Sequence, residues 1–363
     1  MDRKIKLAIV GVGNCASSLI QGIEYYKDAA DDAFIPGLMH ANFGGYHVRD
    51  IEVVAAFDVN SDKVGKDVAE AIYTAPNNTT VFAQVPTTGV LVQRGPQLDG
   101  VNKYTAELVP VDEADEPVDV VAALKASGAD VVVNYLPVGS QEATEFYANA
   151  AIEAGCGFVN CIPVFIASND AWAQKFADAG LPVVGDDIKA QVGATILHRT
   201  LTNLFLDRGM EVKHTYQLNT GGNTDFLNML ERERLADKKT SKTEAVTSMI
   251  EARGQSIAAE DIHVGPSDYV AWQRDNKVCF LRIESTHFGD VPMNLEVRLS
   301  VEDSPNSAGV AIDSIRCCKL AMDAGLSGAI VEPSAYFSKH PPKQVEDREA
   351  RGLVEAFIEQ YGH

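Results

Sequence analysis

The stretch KIKLAIVGVGNCASSL, Lys4 to Leu19, passes from an apolar run into a glycine-punctuated turn and then into a helix. Ile5, Leu7, Ile9 and Val10 read as a short strand of the kind buried in a parallel sheet. Gly11, Gly13 and Ala16 keep the G-x-G-x-x-G/A spacing that follows such a strand. The first small residue permits the tight turn and the second lets backbone N–H groups approach a pyrophosphate. The third lets the helix, predicted from Ser17 to Tyr26, pack closely on the strand with its N-terminus facing the anion. Cys15 lies in this turn, where its size matters more than its sulfur. The reading is a dinucleotide-binding opening, against glycines that merely shape a βα turn.

Such an opening expects an acidic partner at the end of the second strand, and Asp58 follows the apolar run Val53 to Phe57. A carboxylate there accepts from both ribose hydroxyls and repels a 2′-phosphate, which favours NAD over NADP. Asp58 stands 45 positions after Gly13, where the simple motif expects about 20, so something is inserted. The segment Lys27 to Asp50, with Pro36-Gly37 and Gly44-Gly45, reads as a long loop. Asp67 is placed on the next helix, either as a solvated charge or in contact with the cofactor.

Composition narrows the rest. A chain of 363 residues that is 46% hydrophobic has room for two domains and a real core. A net charge of −20 argues against nucleic acid or an anionic membrane as partner, so an anionic substrate must be gathered by a local basic cluster. The start has too short an apolar run for a signal peptide, and no stretch approaches the roughly 18 apolar residues of a span. A cytoplasmic protein is expected. The six cysteines form no C-x-x-C pair, and Cys317-Cys318 read as small buried residues rather than a disulfide.

Further along, strands and helices alternate through Ala129 to Ser140, a helix from Gln141 to Ala154, then GFVNCIPVFIAS and LPVVGDDIKAQVG. Asn134, Asn160 and the pair Asp186-Asp187 stand at successive strand ends, which line the ligand crevice of a doubly wound sheet. The asparagines serve equally as turn formers, whereas Asp187 reads as a site residue. A long helix is predicted from Ile188 to Asp207, followed by an alternating strand from Glu211 to Asn219 and the turn Gly221-Gly222. A charged helical stretch then finishes at Lys238, Lys239 and Lys242. Lys238 and Lys242, four apart, share a face if the helix continues. They either neutralise a phosphate and move protons or answer the helix dipole in solvent. The segment VCFLRIESTHFGDVPMNLEVRLSVEDS alternates polar and apolar residues, predicting a second, largely antiparallel sheet, with Lys277 before its first strand and Asp303 at its end. An amphipathic helix then returns toward the first domain. Lys339, ahead of Pro341-Pro342, sits in a non-helical turn before a last helix from Val345 to Gln360.

Taken together, VGVGNCASSL, NTGGNTDFLNM, KKTSK, VGDDIKAQVG, VEDSPNSAGV and PSAYFSK resemble, across nearly the whole chain, the myo-inositol-phosphate synthases in their compact actinobacterial form. The resemblance implies an α/β fold: an NAD-binding Rossmann-like doubly wound parallel sheet with a second α+β domain inserted before the C-terminal helices. The expected division is 1–200 for NAD binding, 201–303 for catalysis and tetramer contacts, and 304–363 returning to the Rossmann domain. It implies an isomerase that converts glucose 6-phosphate into an inositol monophosphate by oxidation, enolisation, aldol closure and re-reduction, the first step toward inositol and its phospholipids. Lys238, Lys242, Lys277 and Lys339 match the family's active-site lysines. The chemistry of enolate and alkoxide assigns Lys238 and Lys339 to the reacting carbons and Lys242 and Lys277 to the phosphate or aldehyde oxygen, with exchange between the two pairs left open. Gly11, Gly13, Asn14, Cys15, Asp58, Asp67, Asn134, Tyr147, Asp187, Ala190, Asn223, Asp225, Asp303 and Ser304 are matched to cofactor contacts, and Asn219 to the substrate. Ala190 departs from the family's GDD-x-KS pattern, where a serine is expected. A divalent metal stays open, since no His/Cys/Asp spacing indicates one. Two rivals are a two-domain NAD-dependent dehydrogenase of a phosphorylated polyol and a non-enzymatic NAD-sensing regulator.

Overall fold

Short Val- and Ile-rich runs bounded by Gly, Pro and Asn alternate with amphipathic stretches, and the chain folds accordingly. The computed structural model describes residues 3–363, with side chains described for all of them except 234–242 and 266–267. The chain begins with β1 (Ile5–Val10), α1 (Asn14–Tyr26), β2 (Asn42–Phe43), β3 (Tyr46–His47), β4 (Ile51–Asp58), α2 (Val68–Ala71) and β5 (Val92–Arg94). It continues with α3 (Val120–Ser127), β6 (Val131–Asn134), α4 (Gln141–Ala154), β7 (Gly157–Asn160), α5 (Asp170–Asp178) and β8 (Pro182–Val184). There follow α6 (Ala194–Asp207), β9 (Glu211–Gly221), α7 (Thr224–Asn228), α8 (Ala236–Glu251), β10 (Ile262–Tyr269), β11 (Asn276–His287) and β12 (Val291–Glu302). The return is made by α9 (Asp303–Asp323), β13 (Gly328–Ala329), α10 (Val331–Phe337) and α11 (Asp347–Tyr361).

Seven strands form one sheet in the order β13-β8-β7-β6-β1-β4-β5, every pair parallel. Ile5, Leu7 and Ile9 feed the apolar cluster on one face and Ala8 and Val10 the cluster on the other, because helices cover both faces. The strand order reverses between β1 and β6, and the crevice at their carboxyl ends is where an open α/β sheet takes its ligand. The second sheet has the order β10-β9-β11-β12, with β10 parallel to β9 and the other pairs antiparallel. Helix α6 packs Phe205 and Leu206 against Val212, Leu281 and Ile283 of that sheet. Helix α9 carries Ile312, Ile315, Cys317 and Cys318 back into the core of the first sheet.

Three expectations change. The helix expected from Ile188 begins only at Ala194, because residues 186–193 form a loop that pairs with the tail: Lys189 N–H donates to Phe337 O and Lys339 N–H to Asp187 O. The expected boundary at 200/201 falls inside α6. The cations expected at the end of a helix occupy the N-terminal half of α8, which starts at Ala236, so they do not answer its C-terminal dipole. The side chains of Lys238 and Lys242 lie outside the described residues. Finally, Lys27 to Asp50 holds a β2–β3 hairpin, pinned by the buried Arg316 guanidinium to the carbonyls of His40, Ala41 and Tyr46 at 2.8, 2.9 and 3.1 Å. The insertion therefore lengthens the interval to Asp58 without moving β4 from its place beside β1.

Candidate functional site

The glycine turn after β1 is built as the spacing requires. Gly11 has φ +87°, and a Cβ there would stand 2.8 Å from the carbonyl oxygen of Tyr135, which closes the position to any other residue. Gly13 caps α1 in an extended conformation, and nothing lies within 4 Å of where its Cβ would stand, which leaves room for a pyrophosphate at the helix N-terminus. Asp58 ends β4 and accepts from the N–H groups of Val12 and Val59, each at 2.7 Å, and of Asn60 at 2.9 Å. It braces the turn while lining the cavity, and its remaining lone pairs suit a ribose diol.

A cavity of about 280 Å³ runs from Asp58 along this turn to the second sheet. Of the expected cofactor positions, Gly11, Gly13, Asn14, Cys15, Tyr147, Ala190, Asn223, Asp225 and Ser304 line it with Asp58. Asp187, Lys277, Asp303 and Lys339 line it as well. Three expected positions are outside the lining. Asp67 caps α2 and accepts from Ala69, Thr88 and Gly89. Asn134 is buried and donates to Thr144 and to Asn160, which in turn donates to Asp186, so the strand-end asparagines tie the sheet's edge together. Asn219, also buried, donates to Gly265 O at 2.7 Å.

Two ion pairs stand in this lining. Lys339 Nζ lies 2.6 Å from Asp187 Oδ1, and Lys277 Nζ 3.2 Å from Asp303 Oδ1. Burial works to deprotonate Lys277, but Asp303 and then Asp225 outweigh it and hold its pKa above the ordinary lysine value. Lys277 is thus a permanent cation, suited to an anion or a developing oxyanion rather than to work as a base. Burial, reinforced by Asp275, Asp303 and Asp225, pushes the Cys15 thiol up to about 12, so it is not a nucleophile.

Asp275 escapes sequence reading, because a carboxylate in the run RDNK looks solvated. It is buried, and it accepts from Asn14 Nδ2 at 3.2 Å, Asn223 Nδ2 at 3.0 Å, Ser304 Oγ at 2.9 Å and Ser304 N at 3.1 Å. One side chain therefore joins the glycine turn, α7 and the start of α9. Burial raises its pKa, with Asp303 adding to the rise against those hydrogen bonds. No group of three or more His, Cys, Asp or Glu side chains placed to hold a metal occurs among the described residues.

The loop bearing Lys339 is clamped from below. Gln344 Nε2 donates to Lys339 O, and buried Arg199 donates to Val345 O and Asp347 Oδ2. Lys189, also buried, donates to Ala335 O and to Asp347 Oδ1. Burial draws Lys189 down to about 8, and Asp347 is held below the usual carboxylate value by Lys189 and Arg199 against its own burial. Asp347→Asn is expected to cost about 3–5 kcal/mol in denaturant unfolding, since it leaves two buried cations without their shared anion. The contribution of that carboxylate is present at neutral pH and is lost as pH falls through its lowered folded pKa. A variant as stable as the parent would show the clamp to be dispensable.

Residues 193–304 match the family profile of myo-inositol-1-phosphate synthase. The chain is 58% identical over 357 residues to inositol-3-phosphate synthase of Mycolicibacterium smegmatis, covering 98% of each. It is 56% identical over 356 residues to inositol-3-phosphate synthase of Corynebacterium glutamicum, again covering 98% of each. A crystal structure of a myo-inositol-1-phosphate synthase-related protein from Thermotoga maritima shares the fold, with a TM-score of 0.80 at 24% identity over 98% of this chain and 99% of that one. No helix among the described residues is long and apolar enough to cross a membrane.

Proposed function

The chain belongs to the myo-inositol-1-phosphate synthase family, and on that premise we propose that it cyclises glucose 6-phosphate to an inositol monophosphate with NAD held along the cavity. The observation that carries this reading is the continuity of one cavity from a dinucleotide turn to two lysine–carboxylate pairs. Gly11, Gly13 and Asp58 fit the cofactor, because the turn leaves open space at a helix N-terminus and a carboxylate at the ribose end. When bound, NAD supplies a reversible hydride acceptor at the sugar's fifth carbon.

The side chains divide the remaining work. A ketone at the fifth carbon acidifies the sixth, and the resulting enolate attacks the aldehyde, so negative oxygen develops at each stage. Of the two lysines assigned to the reacting carbons, Lys238 and Lys339, one as the free amine takes the proton from the sixth carbon. The other, as the ammonium, stabilises and protonates these oxygens, Lys339 being held by Asp187. Lys277, kept charged by Asp303, binds the phosphate or the aldehyde oxygen with Lys242. Asn219, outside the lining and donating to Gly265 O, is left without a contact to the sugar.

We further propose a homotetramer working in the cytoplasm. Strand β12 is a free sheet edge, and near it Phe288 is 97% and Met293 40% exposed, apolar surface that suits a second copy. None of the six cysteines is joined to another in a disulfide, as a reducing compartment would keep them. Incubating the purified chain with glucose 6-phosphate and NAD should yield inositol phosphate with no net NADH. NADH accumulating in step with product would replace the isomerase with a dehydrogenase.

A further inference from the structure

The central peptide of the glycine turn is gripped by side chains that no motif includes. The Val12 carbonyl accepts from Lys63 Nζ at 2.7 Å and from Asn77 Nδ2 at 3.1 Å, while Val12 N–H donates to Asp58 at 2.7 Å. Lys63 Nζ also donates to Asn77 Oδ1 at 2.8 Å, and Asn77 Nδ2 reaches Ile72 O at 3.0 Å. Lys63 is only 3% exposed, yet it lines the cavity together with Asn77, Gly13 and Asp58. Burying an ammonium is costly unless its donors are used and a charge faces it. Both conditions hold here: burial lowers the Lys63 pKa and the nearby Asp58 opposes that fall.

Across a trans peptide the carbonyl and the following N–H point in opposite directions. The Val12–Gly13 peptide is trans, so fastening the Val12 carbonyl to Lys63 and Asn77 turns the Gly13 N–H the other way. Gly13 lines the cavity, as Lys63 and Asn77 do, and the space its Cβ would take is open to 4 Å. We propose that Lys63, with Asn77, is a positioning residue for the dinucleotide pyrophosphate, locking the peptide whose N–H meets the anion and placing a buried positive charge behind it. Asp58 balances that charge and holds the preceding N–H, so one carboxylate and one ammonium fix the turn from its two ends. The inference rests on the dinucleotide reading of the cavity.

The test is calorimetric titration of the full chain with NAD, ADP-ribose and adenosine, each against the parent, Lys63→Met, Lys63→Arg and Asn77→Ala. Lys63→Met should weaken NAD and ADP-ribose by about tenfold or more, the usual effect of losing a charge-assisted hydrogen bond. Asn77→Ala should weaken both by a smaller factor, Lys63→Arg should recover most of the loss, and adenosine, which has no phosphate, should bind all four proteins alike. A merely structural lysine would weaken adenosine and ADP-ribose equally, and that result, or ADP-ribose affinity unchanged in Lys63→Met, would overturn the proposal. Should Lys63→Met fail to fold, Asn77→Ala decides by the same comparison. A parent that binds no NAD would instead remove the dinucleotide reading.

Discussion

Lys339→Met is expected to lower kcat by about 10²- to 10³-fold while NAD binding is retained, the usual range for losing one preorganised donor to a developing oxyanion. The change removes an ammonium 2.6 Å from Asp187 in the cavity lining, without touching Asp58 or the backbone of the glycine turn. It leaves the backbone that seats the residue intact, because Lys339 N–H donates to Asp187 O and Gln344 donates to Lys339 O whatever the side chain. Single-turnover kinetics with saturating NAD would separate chemistry from binding. Turnover near the parent value would remove Lys339 from the reaction.

Gly11→Ala and Gly13→Ala should each abolish tight NAD binding, for opposite reasons. At Gly11 the new methyl meets the Tyr135 carbonyl at 2.8 Å in a backbone with φ +87°, so the protein itself must shift. A loss of about 1–3 kcal/mol in folding stability is expected there, as for a residue forced into a left-handed conformation. At Gly13 the methyl meets nothing within 4 Å and φ is −91°, so stability should hold while the pyrophosphate loses its place. Thermal unfolding and NAD titration of the two variants read the difference. Gly13→Ala binding NAD as the parent does would place the pyrophosphate elsewhere.

The parts of this arrangement that sequence made legible are those built from contiguous residues. Ile5–Val10 and Gly11-x-Gly13 announce a strand and an anion turn within ten positions, and the alternation through β9, β11 and β12 announces the second sheet. What depends on distant segments meeting was hidden. Residues 188–193 look helical, but pairing with the tail at Ser338 and Lys339 holds them as a loop. Asp275 looks solvated until Asn14, Asn223 and Ser304 converge on it. Asn134 resembles a ligand contact at a strand end but donates to Asn160 at the end of the neighbouring strand and to Thr144 of α4. Lys63, only five positions beyond Asp58, carried no signal because its partners, the Val12 carbonyl and the Asn77 amide oxygen, meet it only in the fold.

The claim that joins the dinucleotide turn to the lysine pairs is that hydride leaves the sugar and returns to it within one visit to the cavity. Glucose 6-phosphate deuterated at the fifth carbon, turned over in unlabelled water with excess unlabelled NAD, tests it directly. Mass spectrometry of the inositol phosphate should find the label retained in the product and none in the free nicotinamide pool. Deuterium recovered in released NADH, with unlabelled product, would contradict the account.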